Sequence, residues 1–320
     1  MQGFGGLEAA VCLIGYGIVV AVLAPRVLAH PRHLDRVPTL GVTVWLAAFL
    51  GVLVAWVAAV LLVVIEVLLS PDVRHVVDRC VASFCAAALG AHGTAGQWLA
   101  VGSAVVLVAG ALGTALGLSR ALLRFRARTH RHADAARLLG RHDDVLGAVI
   151  LDVPERVVYA IAGRPPTIVL SRPALHALDG NQLAVVLAHE RAHLTGRHHL
   201  VRSLSGALAR VMPRIPLFTA GHRELARLVE MCADDAAIRD RDARHLVSAL
   251  LALTAPVSIP GPALAAAATG VIRRAERLLL RPSRGALLWT RVLLITGSLA
   301  LLAGPIVLGF LLCGVLPYGL

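Results

Sequence analysis

Leu187-Ala188-His189-Glu190-Arg191-Ala192-His193-Leu194-Thr195 is the stretch on which the fold turns. Its surroundings predict a helix from about Asn181 to Thr195, with Gly196 as the stop signal. Residues four apart share a helix face, so His189 and His193 can aim two imidazoles at one metal ion. Glu190, one step round, can reach a water held at that ion and take its proton. Zinc lowers the pKa of such a water to about 7. With 14 His in 320 residues, random order produces His-Glu-x-x-His about 0.01 times. A histidine-rich surface helix is the plain alternative, and it starts behind.

Working outward, the upstream side predicts a small β-hairpin. Val157–Ala162 is rich in β-branched residues, Gly163–Pro166 turns, and Thr167–Leu170 follows. Pro173–Leu178 reads as a helical turn, and Leu178-Asp179-Gly180 as turn chemistry at the helix entrance. Further upstream, a basic helix is expected from about Ser119 to Gly140.

Downstream, a helix is expected from about Gly221 to Arg239, carrying Glu230-Met-Cys-Ala-Asp234. The spacing puts Glu230 and Asp234 on one face. Glu230 can complete a His-His-Glu set, leaving a fourth position to water. Asp234 can accept the far N–H of a ligand histidine and so set its tautomer. Without the upstream motif, an acidic pair on a solvated face would be the better reading. His198 and His199 follow the motif too closely to be a third ligand on the same helix, and read as interface or solvent histidines. Asp242–Thr254 and about Gly270–Leu280 are further helices. They supply candidate oxyanion or substrate contacts, namely His245, Arg273, Arg274 and Arg277.

The rest of the chain is apolar. Its apolar share is 58%, with mean hydropathy +0.76. Four stretches are long enough to cross about 30 Å of hydrocarbon: about 5–23, 40–62, 95–118 and 287–316. No basic residue precedes the first run, so it does not read as a cleavable signal peptide. Every one of the 31 basic residues is Arg, and 25 of them fall in 120–285, against 14 acids. That segment holds +11 of the +12 net charge. The positive-inside rule then places 120–285 in the cytoplasm and both termini outside. The basicity reads as an orientation signal and an affinity for anionic lipid. No zinc-finger spacing and no basic patch interleaved with aromatics argues for direct nucleic-acid binding. Cys80 and Cys85 share one outer loop; a pair and two free thiols are both open.

At Pro166–Leu200 and Glu230–Ala237 (EMCADDAA) the chain resembles the BlaR/MecR-type integral-membrane zinc peptidases, and more distantly the HtpX and CAAX-prenyl-endopeptidase group. The resemblance implies one catalytic Zn2+ held by His189, His193 and Glu230, with Glu190 as the catalytic carboxylate and Asp234 behind a ligand. It implies that Thr167, Ile168, Val169 and Leu170 form the edge strand that pairs with an extended substrate. It places Arg277 where such peptidases often carry an arginine. The implied substrate is a cytoplasmic protein, a transcriptional repressor of the BlaI/MecI kind, in a signal-transduction pathway. The antibiotic sensors of that group also carry a penicillin-binding domain; the sequence stops at Leu320, so none is expected and β-lactam detection is not implied.

The expectation is therefore a mainly α, multi-pass cell-membrane protein with four transmembrane helices. Residues 1–118 hold three spans, 119–285 a cytoplasmic α+β gluzincin-type metallopeptidase domain with a small hairpin, and 287–316 the fourth span. An HtpX-like quality-control protease and a signalling scaffold with a structural zinc site are the alternatives.

Overall fold

The computed structural model describes residues 6–28, 34–69, 93–254, 262–279 and 284–312. In chain order the elements begin with α1 (Gly6–Leu28), α2 (Pro38–Leu69) and α3 (Gly93–Leu139). The strands β1 (Arg141–Asp143), β2 (Ala148–Leu151), β3 (Val158–Ile161) and β4 (Thr167–Ser171) follow. Then come α4 (Arg172–Ala177), α5 (Gly180–Thr195), α6 (His198–Val211), α7 (Pro216–Ala237), α8 (Ala243–Thr254), α9 (Pro262–Leu279) and α10 (Arg284–Leu312).

Three helices are long and apolar enough to cross a membrane: Glu8–Leu28, Pro38–Leu62 and Gly285–Phe310, with mean hydropathies of 2.2, 2.5 and 2.2. Their outward faces leave Val11, Val57, Val60 and Leu299 more than half exposed, a surface that suits lipid. The predicted span over 95–118 falls in α3, whose backbone is helical there; the side chains of 93–112 and 114 lie outside the described residues. Residue 5, residues 313–316, Cys80 and Cys85 lie outside them too. Three candidate spans are thus present among the described residues.

The apolar helices pack against one another and against the first half of α7. Trp45, Phe49, Val52, Leu217, Phe218 and Leu225 are buried together. Phe49 meets Trp45 and Phe218 edge to face, at ring-centroid distances of 6.5 and 5.1 Å. Gly221 makes this approach feasible, because a Cβ there would stand 2.6 Å from the Phe49 ring. The helix bearing Glu230 is thereby seated on α2.

The four strands form one mixed sheet in the order β1-β2-β4-β3. The predicted hairpin is present: β3 and β4 pair antiparallel, with Val158 opposite Leu170 and Ile161 opposite Thr167. It is half of a larger sheet, because β2 adds to β4 in parallel and β1 adds to β2 antiparallel. This overturns the edge-strand expectation. Thr167, Ile168, Val169 and Leu170 lie in the middle of the sheet, buried and hydrogen-bonded on both sides; the sheet edges are β1 and, next to β4, β3. The run is buried at every step because both of its faces are covered, which is the signature of an interior strand.

Candidate metal centre and cleft

α5 starts on a capping box. Asp179 accepts from the Gln182 N–H at 2.8 Å, and the Gln182 side chain accepts from the Asp179 N–H at 3.0 Å. The turn chemistry expected of Leu178-Asp179-Gly180 is this cap. Val185, Val186 and Leu187 anchor the helix, and the same rotation buries His189 and Glu190, at 7% and 8% exposure. The chain leaves α5 through Gly196 and then Arg197, whose φ of +50° is left-handed, and restarts as α6. That restart was not anticipated, and it turns His198 back toward the site.

His189 Nε2 and His193 Nε2 face each other at 3.1 Å, and Glu230 Oε2 lies 3.7 Å from both. Zinc bonds of about 2.0–2.1 Å in tetrahedral array set ligand atoms about 3.3–3.4 Å apart. The three observed edges bracket that value, so the donor set fits one such ion. The outer nitrogens are committed elsewhere. His189 Nδ1 stands 3.1 Å from Asp234 Oδ1, off the line of an ideal hydrogen bond. His193 Nδ1 lies 2.9 Å from His198 Nδ1. Burial, then the neighbouring His193, lowers His198 to about 4, so it is neutral at pH 7 and accepts the His193 Nδ1–H. Both rings are thereby turned so that Nε2 is the nitrogen offered to a metal ion.

Carboxylates and imidazoles shift one another strongly here. Burial alone would lower the His189 imidazole, yet Asp234 and Glu230 push it up to about 9. Burial would raise Glu230, but the two histidines hold it far below the usual carboxylate range. Asp234, fully buried, is held low chiefly by Arg274, which donates to both of its oxygens at 2.8 and 2.5 Å. Glu190 behaves in the opposite way: burial raises its carboxyl above the ordinary range, against the pull of the histidines and a hydrogen bond from the Ala160 backbone. Cys232, between Glu230 and Asp234, is pushed up to about 12 by burial and the Asp235 charge, and stays a thiol.

A cavity of about 740 Å³ opens over Glu190, His193 and Glu230. Its walls are β3, with Tyr159 and Ala160, the C-terminal half of α3, and α6 with Arg202. Arg202 donates to Glu230 Oε1 at 3.3 Å.

The structure thus brings His189, Glu190, His193, Glu230 and Asp234 together, and leaves two expected contacts elsewhere. Arg277 pairs with Asp235 at 2.6 Å and donates to the Asp35 carbonyl at 2.6 Å, tying α9 and α7 to the segment before α2. Arg274, one helical turn earlier, is the arginine that reaches the centre. His245 lies in the first turn of α8, whose Ser248 accepts a hydrogen bond from Gln182 at 3.0 Å. Gln182 is seven residues, about 10 Å, from His189 along α5. His198 and Arg202 were missed as site residues. Their signal was present: His198 and Arg202 lie four apart, on one helix face, directly after the motif.

An HExxH helix thus faces a glutamate helix beside a small mixed sheet, in a chain with three helices long and apolar enough to cross a membrane among the described residues. Residues 123–258 match the model of Peptidase family M48, whose members are zinc metalloproteases. The matched stretch holds His189, Glu190, His193, Glu230 and Asp234. No curated protein and no solved structure gives a significant match to the chain.

Proposed function

We propose that this chain is an integral-membrane, zinc-dependent endopeptidase that cleaves a cytoplasmic protein. The observation that carries this is the convergence of His189 Nε2, His193 Nε2 and Glu230 Oε2 next to a buried Glu190, under an open strand edge.

His189, His193 and Glu230 would hold one Zn2+, which when bound supplies Lewis acidity toward a peptide carbonyl and a water. Asp234 and His198 keep the two ligand imidazoles oriented from behind. Glu190 takes the proton of the attacking water and returns it to the departing amine nitrogen, a task suited to a carboxyl raised by burial. The free edge of β3 offers backbone groups to an extended substrate, and Ala160 sets that edge against Glu190. Among the arginines lining the cleft, Arg202 touches a ligand and is the candidate donor to the developing oxyanion.

The arginine distribution supports a cytoplasmic 120–285 with outer termini, and the apolarity of 95–118 supports a fourth span. The likeness to the BlaR/MecR-type peptidases supports a transcriptional repressor of the BlaI/MecI kind as substrate, and a signalling role. The match to Peptidase family M48 supports an HtpX-like quality-control protease equally well.

Glu190→Gln is expected to keep zinc and abolish peptide cleavage. Comparing the cytoplasmic proteomes of wild type and this variant will show one cleaved protein disappearing under the signalling reading, and many under quality control. Undiminished cleavage in the variant refutes the mechanism.

A further inference from the structure

The cavity over Glu190 continues between α3 and α6, and its charge is lopsided. Arg124, Arg128, Arg202 and Arg210 line it, while Glu190 and Glu230 are its acidic residues. Arg202 is engaged by Glu230. Arg124, Arg128 and Arg210 have no carboxylate partner among the described residues, unlike Arg137, which pairs with Asp134 at 2.6 Å. Three guanidinium groups therefore face the cleft unneutralised. Such groups match carboxylates in both charge and fork geometry.

Their positions follow a pattern. Arg124, Arg128 and His132 recur every four residues, on the face of α3 that meets the cleft. His132 stacks on Tyr159 at a centroid distance of 5.5 Å and bonds its hydroxyl at 3.1 Å. Tyr159 precedes Ala160 on the edge strand that touches Glu190, so His132 is level with the reactive centre. Arg128 and Arg124 then lie about 6 and 12 Å away along the helix. An extended chain advances about 3.3 Å per residue, so these distances correspond to roughly two and four residues. Arg210, on the facing wall, closes the same channel.

We infer that the cleft selects acidic peptide segments, with carboxylates about two and four residues from the bond that is cut. This rests on the peptidase reading above. Anionic lipid headgroups share the carboxylate's charge. Arg126 and Arg131, however, lie on other faces of α3 outside the cleft and serve that contact better.

The test uses the full-length, zinc-loaded protein in phosphatidylcholine nanodiscs. Paired peptides carry Glu or Gln at two and four residues from the cleaved bond, on either side. The acidic peptide is expected to show kcat/KM about tenfold higher, the size two carboxylates set among three partly solvent-screened guanidinium groups supply together. The ratio should shrink as salt rises from about 50 to about 300 mM. It should fall toward one in Arg124→Gln/Arg128→Gln/Arg210→Gln and persist in the corresponding Arg→Lys triple. Cleavage of both peptides at equal efficiency, or a preference untouched by salt, overturns the inference and leaves the peptidase reading standing. Loss of the preference at constant salt when anionic lipid is added assigns the arginines to headgroups and also overturns it. No cleavage of any peptide by the zinc-loaded protein refutes the peptidase reading itself, and the inference with it.

Discussion

Asp234→Asn isolates the support behind the candidate metal centre, because it preserves volume and removes one charge. Asp234 is wholly buried and takes two hydrogen bonds from Arg274, whose side chain is itself 15% exposed. Removing one partner of a buried pair costs about 3–5 kcal/mol, chiefly because the remaining charge is left uncompensated. Here Arg274 keeps a second carboxylate nearby, Glu230 Oε2 at 3.8 Å, so about 2–4 kcal/mol is expected. That compensation carries a consequence. As Arg274 swings toward Glu230, it competes for the oxygen that faces the two histidines, while His189 loses the carboxylate beside its Nδ1. Loss of such outer support lowers metal affinity by about 10–100-fold. Thermal unfolding of the solubilised full chain in EDTA reads the first effect without metal linkage, and zinc competition with a chromogenic chelator reads the second. The double variant Asp234→Asn/Arg274→Gln should be less destabilised than the sum of the singles, by about 1–3 kcal/mol. Strict additivity together with wild-type zinc affinity would refute the reasoning.

Two further outcomes are expected. Gly221→Leu should destabilise the chain by about 1–3 kcal/mol, since even its Cβ would stand 2.6 Å from the Phe49 ring and 2.9 Å from Trp45; a wild-type unfolding temperature contradicts the proposed seating of α7 on α2. His198→Ala should weaken zinc binding about tenfold by freeing the His193 ring, and His198→Asn should restore part of it; equal affinity in all three proteins removes His198 from the site.

Much of the candidate site was legible in the sequence. The distance from His189 to His193, and from Glu230 to Asp234, is one helical turn plus a fraction, so co-facing follows from the period alone. Turn residues such as Asp179 and Gly180 carry their own local signal, and so does an apolar run of membrane length. The arginines were harder. Arg274 and Arg277 lie three apart on α9, nearly on one face, and sequence spacing cannot say which meets Asp234 and which meets Asp235. The strand pair 158–161 and 167–171 was visible as a hairpin, yet a hairpin has two edges. β2 covers one of them by a parallel pairing with residues twenty positions earlier, which no local pattern announces.

The period of each segment therefore accounts for the co-facing of His189 with His193 and of Glu230 with Asp234, and for the apolar helices, because each depends on a pattern within one segment. Packing accounts for the rest. The order of strands left β3 rather than β4 open to the cleft. The docking of α7 on α2 through Gly221 brought Glu230 to the histidines, and the left-handed step at Arg197 brought His198 and Arg202 back to the same cavity. These are contacts between segments, decided by which surfaces exclude water together, and a periodicity along one segment carries no information about its partner.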